Sequence, residues 1–339
     1  MILAASLVAC SKNTDSSVRE QEVSDRVPVT VEIASSVASR AVIDEDLAGN
    51  EAKVNSLQIL VFRDGALDAY GKDLGVSKVV VSCTMGAREV WAVVNAPDLS
   101  NISSVEQLMA AKTYFKDNAL MSFVMIGKKS VSITGAATVT IDVNRIASRL
   151  VVRKITNNLS SAALRELEFR VDSIFVINVQ GANNYGGNGY QAVDGIWHNR
   201  MMFDAADADM PKALVLSETD EKIAYGSSSA NGYAVYAYPN DYVASEDEQS
   251  YDTWTKRSTR LVVKANIGGR GYYYPITMPV MESNKSYEVK NLIITRPGSD
   301  NPDKPVTSFD VQFEINVLDW TQVLVTGDND TPGSGDYTI

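Results

Sequence analysis

Apolar and polar residues alternate along most of this chain, which is the pattern of β-strands with one buried face. An early short strand places Val29, Val31 and Ile33 on one side. Only two helices are predicted, one opened by the capping-box pattern Ser103–Glu106 with an apolar face over 108–115, and a short one at 160–167. Further strands are predicted at residues 57–62, 79–83, 90–94, 139–143, 150–155, 169–179, 235–238, 261–267, 287–294 and 309–317. Many short strands with few helices predict an all-β fold built from sandwiches.

The chain has 339 residues, which is enough for about two domains. One group of strands ends and another begins near residues 144–148, without a linker rich in proline, glycine or serine. The sequence therefore predicts an N-terminal sandwich over 27–146 and a C-terminal sandwich over 147–339.

The start of the chain has the features of an export signal. Residues 1–9 are apolar but too few to span a bilayer, which takes about 20 residues. The segment Leu7–Cys10 resembles a bacterial lipobox, so we expect Cys10 to receive a thioether-linked lipid. Residues 10–26 are polar and predict a tether between the lipid and the fold. The alternative is a cysteine that happens to follow an apolar signal core.

Composition excludes several classes of function. The net charge of −11 argues against nucleic acid or an anionic membrane surface as the main partner. One histidine, His198, and two cysteines are too few for a His-rich zinc site or a four-cysteine cluster. No nucleophile motif lies near His198, and Cys83 in its strand is expected to be a buried, inert thiol. We predict no catalytic residue, no metal site and no cofactor.

Two segments suggest assembly. Arg40-Ala41 lies among small residues that a trypsin-like protease can enter, a few residues after the first strand. A first strand that is cut out, over 27–40, would leave unpaired backbone groups that a strand from a second molecule can fill. The long alternating stretch at 309–317, with the β-rich stretch 321–325 after it, is suited to that role. The alternative is that both segments are ordinary sandwich strands.

The order of motifs resembles the fimbrillin superfamily, the subunits of type V pili in Bacteroidales. The matching pieces span most of the chain, and their order is more specific than any one of them. They are the lipobox, Arg40-Ala41 and the segments 54–65, 88–97, 143–152, 286–294 and 311–320.

The resemblance implies two tandem transthyretin-like β-sandwiches, exported as a lipoprotein and matured by an arginine-specific protease. In its terms Cys10 bears the lipid, and the cut falls between Arg40 and Ala41. Val29, Val31 and Ile33 belong to the removable strand. The donor segment is expected within about 309–339, and its candidate residues are Val311, Phe313, Ile315, Val317, Val323 and Val325.

The implied function is a structural subunit of a cell-surface fimbria that supports adhesion. Its partners would be copies of itself, other fimbrial subunits, the outer membrane through Cys10, and a ligand on a host or bacterial surface. One alternative is a tip or anchor subunit of the same system. Another is a monomeric glycan-binding lipoprotein that uses exposed aromatic residues at Trp197, Trp254 and 272–274.

Overall fold

The computed structural model describes residues 26–34, 51–186, 197–198, 211–242, 258–304 and 306–320. Within these ranges strands predominate and the helices are short, so the predicted all-β fold class is confirmed. None of the described helices has the length and apolar character needed to cross a membrane. The division into two transthyretin-like domains stays a prediction.

The first half of the fold contains two facing sheets. One has the strand order β4-β1-β8 and the other β3-β2-β5-β7-β9, while β6 pairs elsewhere. The strands are β1 Arg26–Ile33, β2 Ser56–Arg63, β3 Ala66–Leu74, β4 Lys78–Thr84, β5 Gly86–Val94, β6 Lys112–Tyr114, β7 Met125–Ile133, β8 Ala137–Ile141 and β9 Asn144–Arg145.

A core of valine, isoleucine and leucine side chains lies between these two sheets. Val29 and Val31 of β1 pack there with Leu57, Ile59 and Val61 of β2. The other face of β2 is buried as well, because Leu60 and Phe62 pack into a second and larger core. Burial on both faces explains why residues 59–62 of β2 form a continuous apolar run, without the alternation typical of a strand with one face in water.

The second half is built from several smaller sheets. Their strand orders are β17-β10-β20-β23, β11-β21-β22, β16-β12-β18-β19 and the pair β13-β15. The strands are β10 Ser148–Val152, β11 Ile155–Asn157, β12 Phe169–Ile177, β13 Val179–Gln180, β14 Ala182–Asn184, β15 Trp197–His198, β16 Leu216–Lys222, β17 Tyr233–Ala237, β18 Arg260–Ile267, β19 Arg270–Thr277, β20 Lys285–Val289, β21 Leu292–Ile294, β22 Val311–Gln312 and β23 Ile315–Asp319.

The two halves share packing and hydrogen bonds. β6 of the first half pairs antiparallel with β14 of the second, with Tyr114 opposite Ala182. The larger core runs from the outer face of the five-stranded sheet, at Trp91 and Val93, to the strands of the second half. Apolar area removed from water stabilises at about 25 cal/mol per Å², so this shared core holds the halves together.

The helices are shorter than predicted. α1 spans Val105–Ala110, α2 Ala162–Arg165 and α3 Lys212–Val215, and a 3₁₀ turn spans Phe115–Asp117. The prediction of a helix as far as Phe115 is wrong, because Ala111 is extended and the next three residues form β6. The capping residue is Ser104, which accepts from the backbone N of Gln107 at 3.1 Å, one position later than predicted.

Buried tyrosines predict sensitivity of the fold to alkali. Burial raises the pKa of Tyr70 and Tyr233 to about 12, and burial also raises the pKa of the tyrosines Tyr185, Tyr236, Tyr238, Tyr274 and Tyr287. A folded-state pKa above the unfolded value of 10.0 gives stability that is complete below pH 10 and is lost as the pH rises. Arg145 opposes this trend, because burial lowers its pKa to about 10.

We therefore expect the free energy of unfolding to fall steeply between about pH 10 and about pH 12, since seven tyrosines outweigh one arginine. Urea unfolding followed by circular dichroism, with phenolate absorbance recorded in parallel, measures this. A flat stability profile through that range would contradict the buried state of these phenols.

Candidate assembly site

Strand β1 is the middle strand of its three-stranded sheet. It pairs antiparallel with β4 over Arg26–Glu32 and parallel with β8 over Val29–Ile33. β4 and β8 have no other hydrogen-bonded neighbour in this sheet. Removal of β1 would therefore expose the backbone donors and acceptors of both strands along a slot one strand wide.

The side chains of β1 alternate between the core and the surface. Val29 and Val31 are completely buried, and Val27 and Ile33 pack at the margins of the same core. The core around them includes Val79 and Val81 of β4, with Val139 and Ile141 of β8. The slot therefore offers two wholly enclosed sites of valine size, separated by one outward-facing residue.

The first end of β1 is held by a buried carboxylate. Arg26 donates from Nη2 to Oδ1 of Asp68 at 3.1 Å and from Nη1 to the carbonyl of Ser82 at 2.7 Å. Arg88, whose side chain is 2% exposed, donates from Nε to Oδ2 of Asp68 at 3.0 Å. Burial opposes ionisation of Asp68, but hydrogen bonds from Thr84 and Arg88 and the charge of Arg26 outweigh it and lower its pKa.

The other end of β1 points toward the second half of the fold. The hydroxyl of Thr140 donates to Oε1 of Glu32 at 2.9 Å, and the N–H of Ala34 donates to the carbonyl of Ile141 at 2.8 Å. β9 begins three residues after β8 ends, and its Arg145 contacts the second half. This end of β1 therefore lies on the side of the junction between the halves, and the Arg26 end lies away from it.

A buried polar cluster occupies that junction. Glu51, which is 3% exposed, accepts from Tyr236 Oη at 2.6 Å, Trp320 Nε1 at 2.9 Å and Arg149 Nη1 at 3.1 Å. Arg145 donates to the backbone carbonyls of Glu51 and Trp320, both at 3.2 Å, and its guanidinium lies 4.4 Å from the centroid of the Trp320 ring. The cluster thus ties Glu51, the first residue of the described range 51–186, to Trp320, the last described residue.

The C-terminal candidates at 311–317 lie in strands of the second half. Val311 is 2% exposed in β22, which pairs with β21. Val317 is 51% exposed, Phe313 is 41% exposed and Ile315 is half-buried. β23 forms one edge of its sheet beside β20, with Tyr287 opposite Val317 and Val289 opposite Ile315. Residues up to Trp320 are thus part of the second half.

Several predicted site residues lie outside the described residues. They are Cys10, Arg40, Ala41, Val323 and Val325, together with the signal and most of the tether. Cys10 precedes the first described residue, Arg40 and Ala41 fall between the described ranges 26–34 and 51–186, and Val323 and Val325 follow the last described residue, Trp320. Their roles stay predictions.

The other candidates from the sequence have ordinary surroundings. Cys83 is buried as predicted, and burial raises the pKa of its thiol, which disfavours a reactive thiolate. Tyr274 is buried, whereas Tyr272 lines a cleft of about 360 Å³ with Arg270, Asp300 and Lys304. No group of three metal-ligating side chains occurs in the part of the chain that the structure describes.

Two features of this site were missed by the sequence interpretation. They are the Arg26–Asp68–Arg88 arrangement and the cluster around Glu51, whose members are far apart in the chain. The available signal was a set of single charged residues next to apolar strands, such as Arg88 before β5's apolar run and Arg145 after β8. Such residues are rarely buried unless they are paired.

The fold is shared with solved structures from Bacteroidales. A fimbrilin from Porphyromonas gingivalis W83 superposes with a TM-score of 0.64 at 17% identity, over 88% of this chain and 98% of that chain. A candidate cell adhesion protein from Bacteroides eggerthii gives 0.63 at 15% identity, over 88% and 97%. Another, from Parabacteroides distasonis, gives 0.62 at 15% identity, over 90% and 99%. At these identities the likeness establishes the fold.

No family model and no curated protein matches the sequence. The likeness to solved structures therefore concerns the all-β fold, and the function has to be argued from the site.

Proposed function

We propose that this chain is a structural subunit of a cell-surface fimbria, and that it polymerises by exchange of β1 for a strand of another copy. The observation that supports this most directly is the position of β1. It is the central strand of its sheet, and the chain connects it to the rest of the described fold through residues 35–50. A cut after Arg40 would separate β1 from the body without breaking any described strand.

The vacated slot would be a strong acceptor for an extended strand. It would present unpaired backbone groups on both sides, at β4 and β8, and two apolar sites at the positions of Val29 and Val31. Each hydrogen bond that an incoming strand makes to these exposed groups contributes about 0.5–1.5 kcal/mol net, and each valine side chain gains about 1.5–3 kcal/mol on burial. An empty slot is therefore unstable relative to a filled one.

The strand that fills the slot is best placed beyond Trp320. Val311 and β23 are paired with β21 and β20, and Trp320 is buried in the Glu51 cluster, so releasing residues 311–320 would break the second half. Val323 and Val325 follow within five residues and have the spacing of Val29 and Val31. We therefore assign the donor to residues 321–339, with these two valines as its apolar side chains.

Export and location follow the same proposal. Cys10 would anchor the precursor in the outer membrane through its lipid. A cut after Arg40 would leave both the lipid and β1 on the N-terminal fragment and free the body from them. One cut would therefore both release the body from the membrane and open the slot. The cell surface is the resulting location, and other fimbrial subunits are the resulting partners.

The test is limited digestion of the purified full chain with an arginine-specific protease, followed by N-terminal sequencing and electrophoresis in SDS without boiling. We expect a new N-terminus at Ala41 and SDS-resistant ladders. The control is Arg40→Gln, which should keep β1 and stay monomeric. A chain that ends at Trp320 should be cut but form no ladder.

Other outcomes would favour other functions. Cleavage at Arg40 without ladders, in the full chain, would indicate a tip or anchor subunit that needs a different partner. Resistance at Arg40 with a persistent monomer would contradict strand exchange. The cleft at Tyr272 would then be tested as a glycan site by electrophoresis in gels that contain polysaccharide.

A further inference from the structure

The slot occupied by β1 meets charged groups at both of its ends. At the outer end the buried carboxylate of Asp68 is paired with the buried guanidinium of Arg88, and it also faces Arg26, the cation at the start of β1. At the junction end Glu32, the anion of β1, lies opposite Lys78 of β4. A strand that fills the slot is therefore disfavoured if it places a negative charge beside Asp68.

The donor segment 321–339 contains no lysine, arginine or histidine, and its first charged residue is Asp328. With Val323 at the site of Val29 and Val325 at that of Val31, Asp328 falls at the position of Ala34, beyond the paired part of the slot. With the strand reversed, Val325 takes the site of Val29, and Asp328 falls at the position of Arg26. Reversal would therefore place a carboxylate beside Asp68, where a cation was.

The chain's own tail begins at the wrong end for the favourable direction. Trp320 is fixed in the Glu51 cluster, close to Arg145 and hence to the junction end of the slot. A tail that folded back into its own slot would enter from that end and run opposite to β1. A tail that enters at the outer end, beside Asp68, has to come from another molecule.

We propose that Asp68 sets the direction of the incoming strand, and by doing so favours a strand from a second copy over the chain's own tail. The inference rests on the proposed function. Asp68 keeps its bonds from Thr84 and Arg88 after β1 leaves, so it remains an ionised carboxylate at the outer end of the slot. Its repulsion of Asp328 acts only on the reversed strand, since a strand in the direction of β1 brings Asp328 to the opposite end.

Disulfide trapping measures the direction. In the β1 direction Gln322 takes the place of Pro28, opposite Ser82, and in the reversed direction it takes the place of Glu32, opposite Lys78. Ser82 and Lys78 are both exposed, and directly opposed strand residues have the Cα spacing that a disulfide requires. Two variants are compared, Gln322→Cys with Ser82→Cys and Gln322→Cys with Lys78→Cys, each with Cys83→Ala to remove the buried thiol.

Both variants are cleaved after Arg40, oxidised and separated on non-reducing gels. We expect the yield of cross-linked oligomers from the Ser82→Cys variant to exceed the total cross-linked yield of the Lys78→Cys variant by at least about tenfold. A dominant Lys78 cross-link, within one chain or between chains, would overturn the direction while leaving strand exchange intact. Ladders without either cross-link would overturn it too. Absence of ladders would be a failure of the proposed function itself.

A charge variant tests the part assigned to Asp68. Asp328→Asn is added to the variant that carries Gln322→Cys and Lys78→Cys, where it removes the repulsion of the reversed strand. We expect the yield of the disulfide between positions 322 and 78 to rise several-fold, with both cysteines in the same chain. The matched control is Asp336→Asn, which makes the same charge change outside the slot in either direction. An equal effect of both variants, or no effect of Asp328→Asn, would show that Asp68 does not select the direction.

Discussion

Replacing Val31 with aspartate is expected to destabilise the uncleaved protein by about 4 kcal/mol or more. The Val31 side chain is completely buried between the two sheets of the first half, so the change loses about 1.5–3 kcal/mol of apolar burial. It also places a carboxylate among Val79, Val81, Val139 and Ile141, which offer it no hydrogen bond. Urea unfolding at neutral pH measures the loss, with Thr30→Asp on the outer face of the same strand as the control.

The control should cost less than about 1 kcal/mol, since Thr30 does not face the core. The same pair of variants separates a removable strand from a permanent one. If β1 leaves on cleavage, Val31→Asp should have no effect on the stability of polymers assembled after cleavage and washing. A polymer that is as unstable as the uncleaved variant would contradict removal of β1.

Much of this site follows from the alternation of residues along the chain. The spacing of Val29, Val31 and Ile33 predicted one face of a strand, and the structure buries the first two completely and the third in part. This works because a strand has a period of two, so that the buried face is fixed by local sequence. The same rule located β12 and β18 near their observed bounds.

The rest depended on contacts between distant residues. The helix predicted as far as Phe115 ends at Ala110, because residues 112–114 find a strand partner in 182–184, and no local pattern encodes that pairing. Arg149 and Glu51 are 98 positions apart and form one buried ion pair. A sequence gives the charge of each, but it does not give the burial that makes the pairing necessary.

The alternation over 309–317 had a different outcome. It predicted one continuous strand with an inward face, whereas the structure divides it into β22 and β23, which lie in separate sheets. Phe309 is 72% exposed and Val311 is 2% exposed, although both belong to the same predicted face. A break between two sheets resets which face is buried, and this reset is invisible to a count of alternating positions.

The Glu51 cluster gives the body a fixed point between the two segments that strand exchange would move. Residues 35–50 lead from β1 to Glu51, and the tail begins directly after Trp320, to which Glu51 is hydrogen-bonded. Cleavage in the first segment and insertion of the second would therefore leave this contact unchanged. Under the proposed exchange, the body would thus change its strand partners without repacking the junction.

Replacement of Glu51 by alanine is expected to destabilise the protein by about 3–5 kcal/mol. The change leaves the buried donors of Tyr236 and Trp320 without their acceptor and removes the nearer of the two carboxylates that face Arg149. It also removes the negative charge that supports protonation of Arg145, whose pKa burial already lowers to about 10.

Glu51→Gln keeps the shape and one acceptor, so its cost should be smaller, and Glu166→Ala on an exposed turn should cost less than about 0.5 kcal/mol. Urea unfolding measures all three variants, and tryptophan fluorescence reports whether Trp320 becomes exposed. If Glu51→Ala unfolds like the native protein, the cluster does not hold the start of the tail, and the donor would no longer be confined to the residues after Trp320.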